Sequence, residues 1–221
     1  GAWNPTTGAP ATSLQEAIAN VESRGQPNNG YGAQNQAGFL GRYQFGVAAL
    51  SDVWLYTPGP SDRDRRGNYV NAWSGTWNYP GVSSPADFLA NREAQDTAFN
   101  RYAERLGQIL DRMNLTTNPD GTPRTINGIP VTRDALIGMA WAGPGYAQRF
   151  IQSGGTDNPT DGNGLSMLER FMMFSRTQAA TNREQYGPPA PTSATSSVAG
   201  QAQAQIDEMV RRARGEYGGN Q

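Results

Sequence analysis

Glu22 is the side chain of this sequence with the clearest potential for chemistry, because the usual reactive groups are missing. The chain has no histidine, no cysteine and no lysine, and all eighteen basic residues are arginines. A Ser–His–Asp or Cys–His nucleophile is therefore impossible. A His- or Cys-ligated zinc site, a Schiff base and a lysine-bearing phosphate loop are excluded as well. Acid–base work falls to carboxylates or tyrosines. Among the nineteen carboxylates, Glu22 follows apolar Val21 in the last turn of a helix that Gly25 and Pro27 should stop. The negative end of the helix dipole and partial burial both favour the protonated form there. A carboxylic acid kept neutral near pH 7 can act as a general acid. A solvated glutamate on a helix edge would share these local features, so the wider pattern has to weigh in.

The elements that must position Glu22 are legible as local signals. Ser13-Leu-Gln-Glu16 fits a capping box, and Leu14, Ala17, Ile18 and Val21 follow at helical spacing. Residues 26–41 read as an Asn/Gly-rich loop, 46–56 as a short helix, and 57–83 as a polar loop carrying Trp73, Trp77 and Tyr79. Ser84-Pro-Ala-Asp87 should start the longest helix, running to about Asn114. Two turn signals, Pro119-Asp-Gly121 and Asn127-Gly128, predict a small hairpin within 115–131. Thr132 should cap a helix to about Trp141, which Gly143-Pro-Gly145 breaks before a helical stretch to Ser153. A last domain helix is expected over 165–181. The expected class is mainly α. The expected organisation is an arm over 1–11, one domain over 12–186, a Pro/Ala/Ser/Thr/Gln-rich linker over 187–205, and a short amphipathic helix and tail over 206–221.

Glu22-Ser23-x-Gly25, then Gly41-Arg-Tyr-Gln-Phe45, then Ala140-Trp-Ala-Gly-Pro-Gly145 form an ordered set. The set resembles the lysozyme-like lytic transglycosylases of the soluble-transglycosylase type, and most of all their bacteriophage and tail-associated variants. Phe88-Leu-Ala-Asn91…Gln95-Asp-x-Ala-Phe99 and Arg149-Phe-Ile-Gln-Ser-Gly-Gly155 add to the likeness, which covers about residues 12–181. The resemblance implies a lysozyme-like domain that cleaves the bond between N-acetylmuramic acid and N-acetylglucosamine. Glu22 would be the sole catalytic acid/base. Ser23 would bond the substrate or the site wall. Tyr43, Gln44 and Phe45 would line the glycan cleft, with Trp141, Gly143 and Tyr146 on the opposite wall. The third motif is one residue short and lacks its usual Tyr and Asn. Trp141, Tyr146 or Tyr43 would then hold the glutamate. No cofactor and no metal are implied.

Other residues have plainer readings. Asp52 is the nearest later carboxylate and the candidate partner in a water-using, hydrolytic variant of the reaction. Asp62 and Asp64, in Ser-Asp-Arg-Asp-Arg-Arg, read as solvated. Trp73, Trp77 and Tyr79 fit sugar stacking or the pinning of a long loop equally well. Phe171, Met172, Met173 and Phe174 read as packing. A net charge of −1 gives no case for nucleic acid. No apolar run reaches transmembrane length, and the first residues lack the pattern of a signal peptide. The linker and tail suggest attachment to other virion, tail or ejection proteins, with peptidoglycan strands as substrate. The rival from another class is a virion or secretion-machine structural protein that keeps the fold with weak or no activity.

Overall fold

The computed structural model describes residues 13–186, with side chains as far as 177. The arm, linker and tail helix expected at the two ends lie outside these residues. Among the described residues there are seven α-helices and four two-residue strands, so the chain is mainly helical as expected. They divide into two compact units. One is Ile18–Arg105; the other joins 13–17 to the chain from Leu106 onward. The boundaries fall inside α1 (Leu14–Ser23) and inside α4 (Arg92–Met113).

In α1 the predicted cap forms, with the Glu16 N–H donating to Ser13 Oγ at 3.2 Å. A 3-10 turn, Asn28–Gly30, interrupts the following loop, and α2 is Val47–Asp52. The loop after α2 is not merely irregular. Its ends pair as antiparallel strands β1 (Tyr56–Thr57) and β2 (Thr76–Trp77), with Tyr56 opposite Trp77.

Ser84 caps α3 (Pro85–Ala90) by accepting the Asp87 N–H. The single long helix expected from Ser84 does not form, because the chain breaks at Asn91, which is extended at φ −109°, ψ 94°. Asn91 Oδ1 accepts the Ala94 N–H at 2.9 Å and so caps α4 afresh. Asparagine offers its own backbone an alternative to the helical ladder, and here that alternative prevails.

The core of this unit gathers Ile18, Leu40, Tyr43, Phe45, Leu50 and Phe88, each at most 1% exposed. Burial of each such side chain stabilises by about 1.5–3 kcal/mol.

In the second unit, β3 (Thr125–Ile126) and β4 (Ile129–Pro130) form the predicted hairpin. Asn127 and Gly128 supply the two positive φ angles, 51° and 78°, that such a turn requires. Thr132 caps α5 (Arg133–Ala140) by accepting the Ala135 N–H at 3.1 Å. α6 is Pro144–Gln152, and α7 begins at Met167 and runs to Tyr186. α5 packs closely on α7, and a Cβ at Gly138 would stand 2.1 Å from the Phe174 ring. Phe171, Met172 and Phe174 are buried, as expected of packing residues, whereas Met173 is half-buried. Among the described residues, no helix is long and apolar enough to cross a membrane.

Candidate functional site

Glu22 is the penultimate residue of α1 and is half-buried. Ser23 closes the helix and is 5% exposed. Its Oγ lies 2.7 Å from the Arg42 carbonyl and 3.2 Å from the Ala19 carbonyl. The hydroxyl thus donates to main-chain acceptors, and of the two contacts expected of Ser23, substrate or site wall, the one seen is a tie between the helix end and the Arg42 turn. Gly30 makes room for this tie. A Cβ there would fall 2.0 Å from Ser23 Oγ, and its φ is +84°.

The Arg42 turn is a tight reversal. Leu40 and Phe45 exchange both backbone hydrogen bonds, and Gln44 takes a positive φ of 51°. Side chains alternate along it, as they do along a strand. Arg42 and Gln44 are half-buried, while Tyr43 and Phe45 point into the core at 0% and 1% exposure. The expectation that Tyr43 and Phe45 line a cleft is thus overturned. Tyr43 packs on Phe99 with ring centroids 4.8 Å apart, and its hydroxyl donates to Asp96 at 2.6 Å. Phe45 meets Tyr102 edge-on at 6.1 Å. Gln44 is half-buried, with its Nε2 donating to the Gly41 carbonyl at 2.9 Å.

Two residues of α4 that no site motif singled out hold this turn. Gln95 is fully buried; its Oε1 accepts the Arg42 N–H, and its Nε2 donates to the Tyr31 and Phe88 carbonyls, all at 2.9 Å. Gly41 lies so close that a Cβ there would meet Gln95 Oε1 at 2.2 Å. Asp96 accepts the hydroxyls of both Tyr31, at 2.8 Å, and Tyr43. Burial first, and then the Asp96 hydrogen bond, raise the Tyr31 hydroxyl above its ordinary pKa. The sequence signal for this bracket was the Gln95-Asp96 pair itself, but Tyr31, Arg42 and Tyr43, which it holds, lie more than fifty residues away along the chain.

The remaining predicted residues belong to the second unit. Trp141 is the half-buried C-cap of α5, and Gly143 is the N-cap of α6 at φ +147°. Tyr146 is 38% exposed in the first turn of α6. Asp52, the candidate second carboxylate, is exposed at the end of α2, and its Oδ2 lies 3.4 Å from Arg105 Nε.

Asp62 reverses its expected role. It is 0% exposed, not solvated. Its carboxylate accepts the Tyr56 hydroxyl at 2.7 Å, the Gly59 N–H at 2.8 Å and the Ser74 N–H at 3.2 Å. Burial opposes its charge, but these donors outweigh burial and hold the carboxyl below the ordinary value. Burial and the nearby carboxylate together push Tyr56 up to about 12. Around this pair, Trp73 and Trp77 stack at 5.2 Å, Tyr56 meets both edge-on, and Trp73 Nε1 donates to the Gly38 carbonyl at 2.8 Å. Trp73 and Trp77 thus pin the loop, one of the two readings their spacing allowed; Tyr79 is half-buried beside them in sequence. Asp64, by contrast, is exposed as expected and accepts the Arg66 and Asn68 N–H groups.

Among the described residues, no group of three or more carboxylates stands together as a metal site would require. No family model, curated protein or solved structure matches this chain.

Proposed function

We propose that this protein is a lysozyme-like lytic transglycosylase of peptidoglycan, with Glu22 as its only acid/base. One observation carries the reading. Two motifs meet at the 2.7 Å contact between Ser23 Oγ and the Arg42 carbonyl, nineteen positions apart, and the half-buried Glu22 directly precedes Ser23. A partly buried carboxyl at the C-terminal end of a helix is the environment that favours a general acid.

In the proposed reaction, Glu22 gives its proton to the oxygen linking N-acetylmuramic acid to N-acetylglucosamine, and the C1–O bond breaks. The substrate's acetamido group stabilises the positive charge that develops at C1. The Glu22 carboxylate then takes the proton of the muramoyl 6-hydroxyl, whose oxygen bonds to C1. The product is a 1,6-anhydro ring, no water is consumed, and Glu22 is reprotonated. A second carboxylate is unnecessary, unlike paired-carboxylate hydrolysis. The enzyme would act on the cell wall as part of a phage particle, with the C-terminal tail joining it to other virion proteins.

Mass spectrometry of purified peptidoglycan digested with the protein, beside Glu22→Gln, tests this. Anhydro-muramoyl ends from the parent protein and none from the variant are expected. Reducing ends carrying an added water would overturn the transglycosylase outcome in favour of a hydrolase. No cleavage of a competent substrate would favour a structural role.

A further inference from the structure

Several arginines of this chain sit beside a carboxylate: Arg105 beside Asp52, Arg133 beside Asp111, Arg149 beside Asp157 and Arg170 beside Asp161. Among the described residues, Arg42 and Arg92 form no ion pair. Both are instead held on one ring. Arg42 Cζ lies 5.2 Å and Arg92 Cζ 5.0 Å from the Tyr31 centroid, so the two charges are no more than about 10 Å apart, one Debye length at 0.1 M salt. Two like charges at that range repel, and the fold restrains them by other means. Arg92 donates to Asn28 Oδ1, and Arg42 also lies over the Tyr43 ring at 5.9 Å. Arg42 Nε is buried without a hydrogen-bond partner. The carboxylate that reaches this ring, Asp96, accepts the hydroxyls of Tyr31 and Tyr43. Arg92 also borders an open depression with Gly81, Asp87, Ala90 and Asn91. The acid there, Asp87, accepts the N–H and the hydroxyl of Ser83.

A guanidinium held over an aromatic face by cation–π attraction spends none of its N–H groups on that contact, and its planar fork matches a carboxylate. An anion would relieve the repulsion between the two cations and give charge-assisted bonds at the same time. The Arg42 carbonyl takes the Ser23 hydroxyl, so this cation pair is tied to the helix end that carries Glu22.

We propose that Arg42 and Arg92, seated on Tyr31, form a carboxylate-binding subsite. It would recognise the acidic groups of the glycan, either the carboxylates of the peptide stems or the lactyl carboxylates of strands without stems. The identity of the ligand rests on the peptidoglycan reading; the anion chemistry does not.

Binding by Glu22→Gln, which should not turn over, is the test. Three soluble ligands are compared by calorimetry at low and high salt: stem-bearing strands, strands stripped of stems by an amidase, and neutral chitooligosaccharide. At least one carboxylate-bearing ligand should bind about 10-fold more tightly than the neutral one, and salt should erase the difference. Adding Arg92→Gln should abolish that preference while leaving the neutral ligand's affinity and the melting temperature unchanged. Adding Arg92→Lys should restore only part of it, because the charge stays and the fork goes. The ligand whose advantage is lost identifies the source, stem or lactyl. Equal affinities for all three ligands, no binding of any, or a preference that survives Arg92→Gln would each overturn the subsite. Cleavage without carboxylate preference would leave the transglycosylase reading standing. Carboxylate preference without cleavage by the parent protein would do the reverse.

Discussion

Two corners of the Ile18–Arg105 unit fasten Gly- and Asn-rich loops by the same device and with opposite chemistry. At the Glu22 corner the fastening groups are neutral: the Ser23 hydroxyl and the Gln95 carboxamide, both buried and both bonded to main chain. The acid of that corner, Glu22, stays half-exposed at the helix end. At the tryptophan corner the acid is itself the fastener, since Asp62 is fully buried and gathers Tyr56, Gly59 and Ser74. A neutral clamp keeps its bonds at any pH. A charged clamp holds only while it is ionised. The comparison separates a half-buried acid beside a neutral clamp from a buried acid that is itself the clamp.

The largest expected effect tests the first half of that contrast. Glu22→Gln should lower glycan cleavage by about 10³-fold or more with little change in melting temperature, as read by product release and thermal unfolding. Asp62→Asn should do the opposite. It puts amide hydrogens among groups that donate, and should cost about 2–4 kcal/mol of stability by denaturant titration, with the remaining folded protein still active. A stable, inactive Asp62→Asn protein would break the comparison.

Gln95→Leu should come next, at about 2–3 kcal/mol, because it strands the Arg42 N–H and two buried carbonyls. Ser23→Ala should cost less, about 1 kcal/mol, and should lower turnover more than substrate affinity if the tie positions Glu22.

Acid sharpens the contrast further. The Asp62 pKa is below its ordinary value in the folded state. Its contribution is therefore present above the ordinary carboxylate range and is lost as pH falls through the folded value. Urea midpoints measured from pH 6 to pH 3 should fall, and Asp62→Asn should flatten that limb. Asp134, in the second unit, has the opposite sign. Burial raises its pKa, with Thr177 and Arg133 offsetting part of the rise. Its ionisation should cost stability as pH climbs through the carboxylate range, and Asp134→Asn should remove that small pH dependence. This is the smallest effect expected.

Local signals were read correctly because their partners are close along the chain. The Ser13 and Thr132 caps each bond a backbone N–H three residues on, and Asn127-Gly128 closes its own hairpin. The Asn91 break was hidden for a related reason, since two competing local bonds were available and only the assembled chain selects between them. Asp62 looked solvated because its immediate neighbours are charged. Trp73 and Trp77, which cover it together with Tyr56, return from more than ten residues away. The inward turn of Tyr43 and Phe45, and the hold of Gln95 on Arg42, likewise depend on α4 coming back across fifty residues.

By itself the sequence determined which chemistries are impossible, that the chain is mainly helical, and that a carboxylate stands in the last turn of its first helix. These follow from side-chain types and from hydrogen bonds between near neighbours. The tertiary structure decided which carboxylate is buried, which aromatic rings are core, and which arginines share a ring. Burial and charge pairing depend on segments that meet only when the chain folds back, and no local pattern encodes that return.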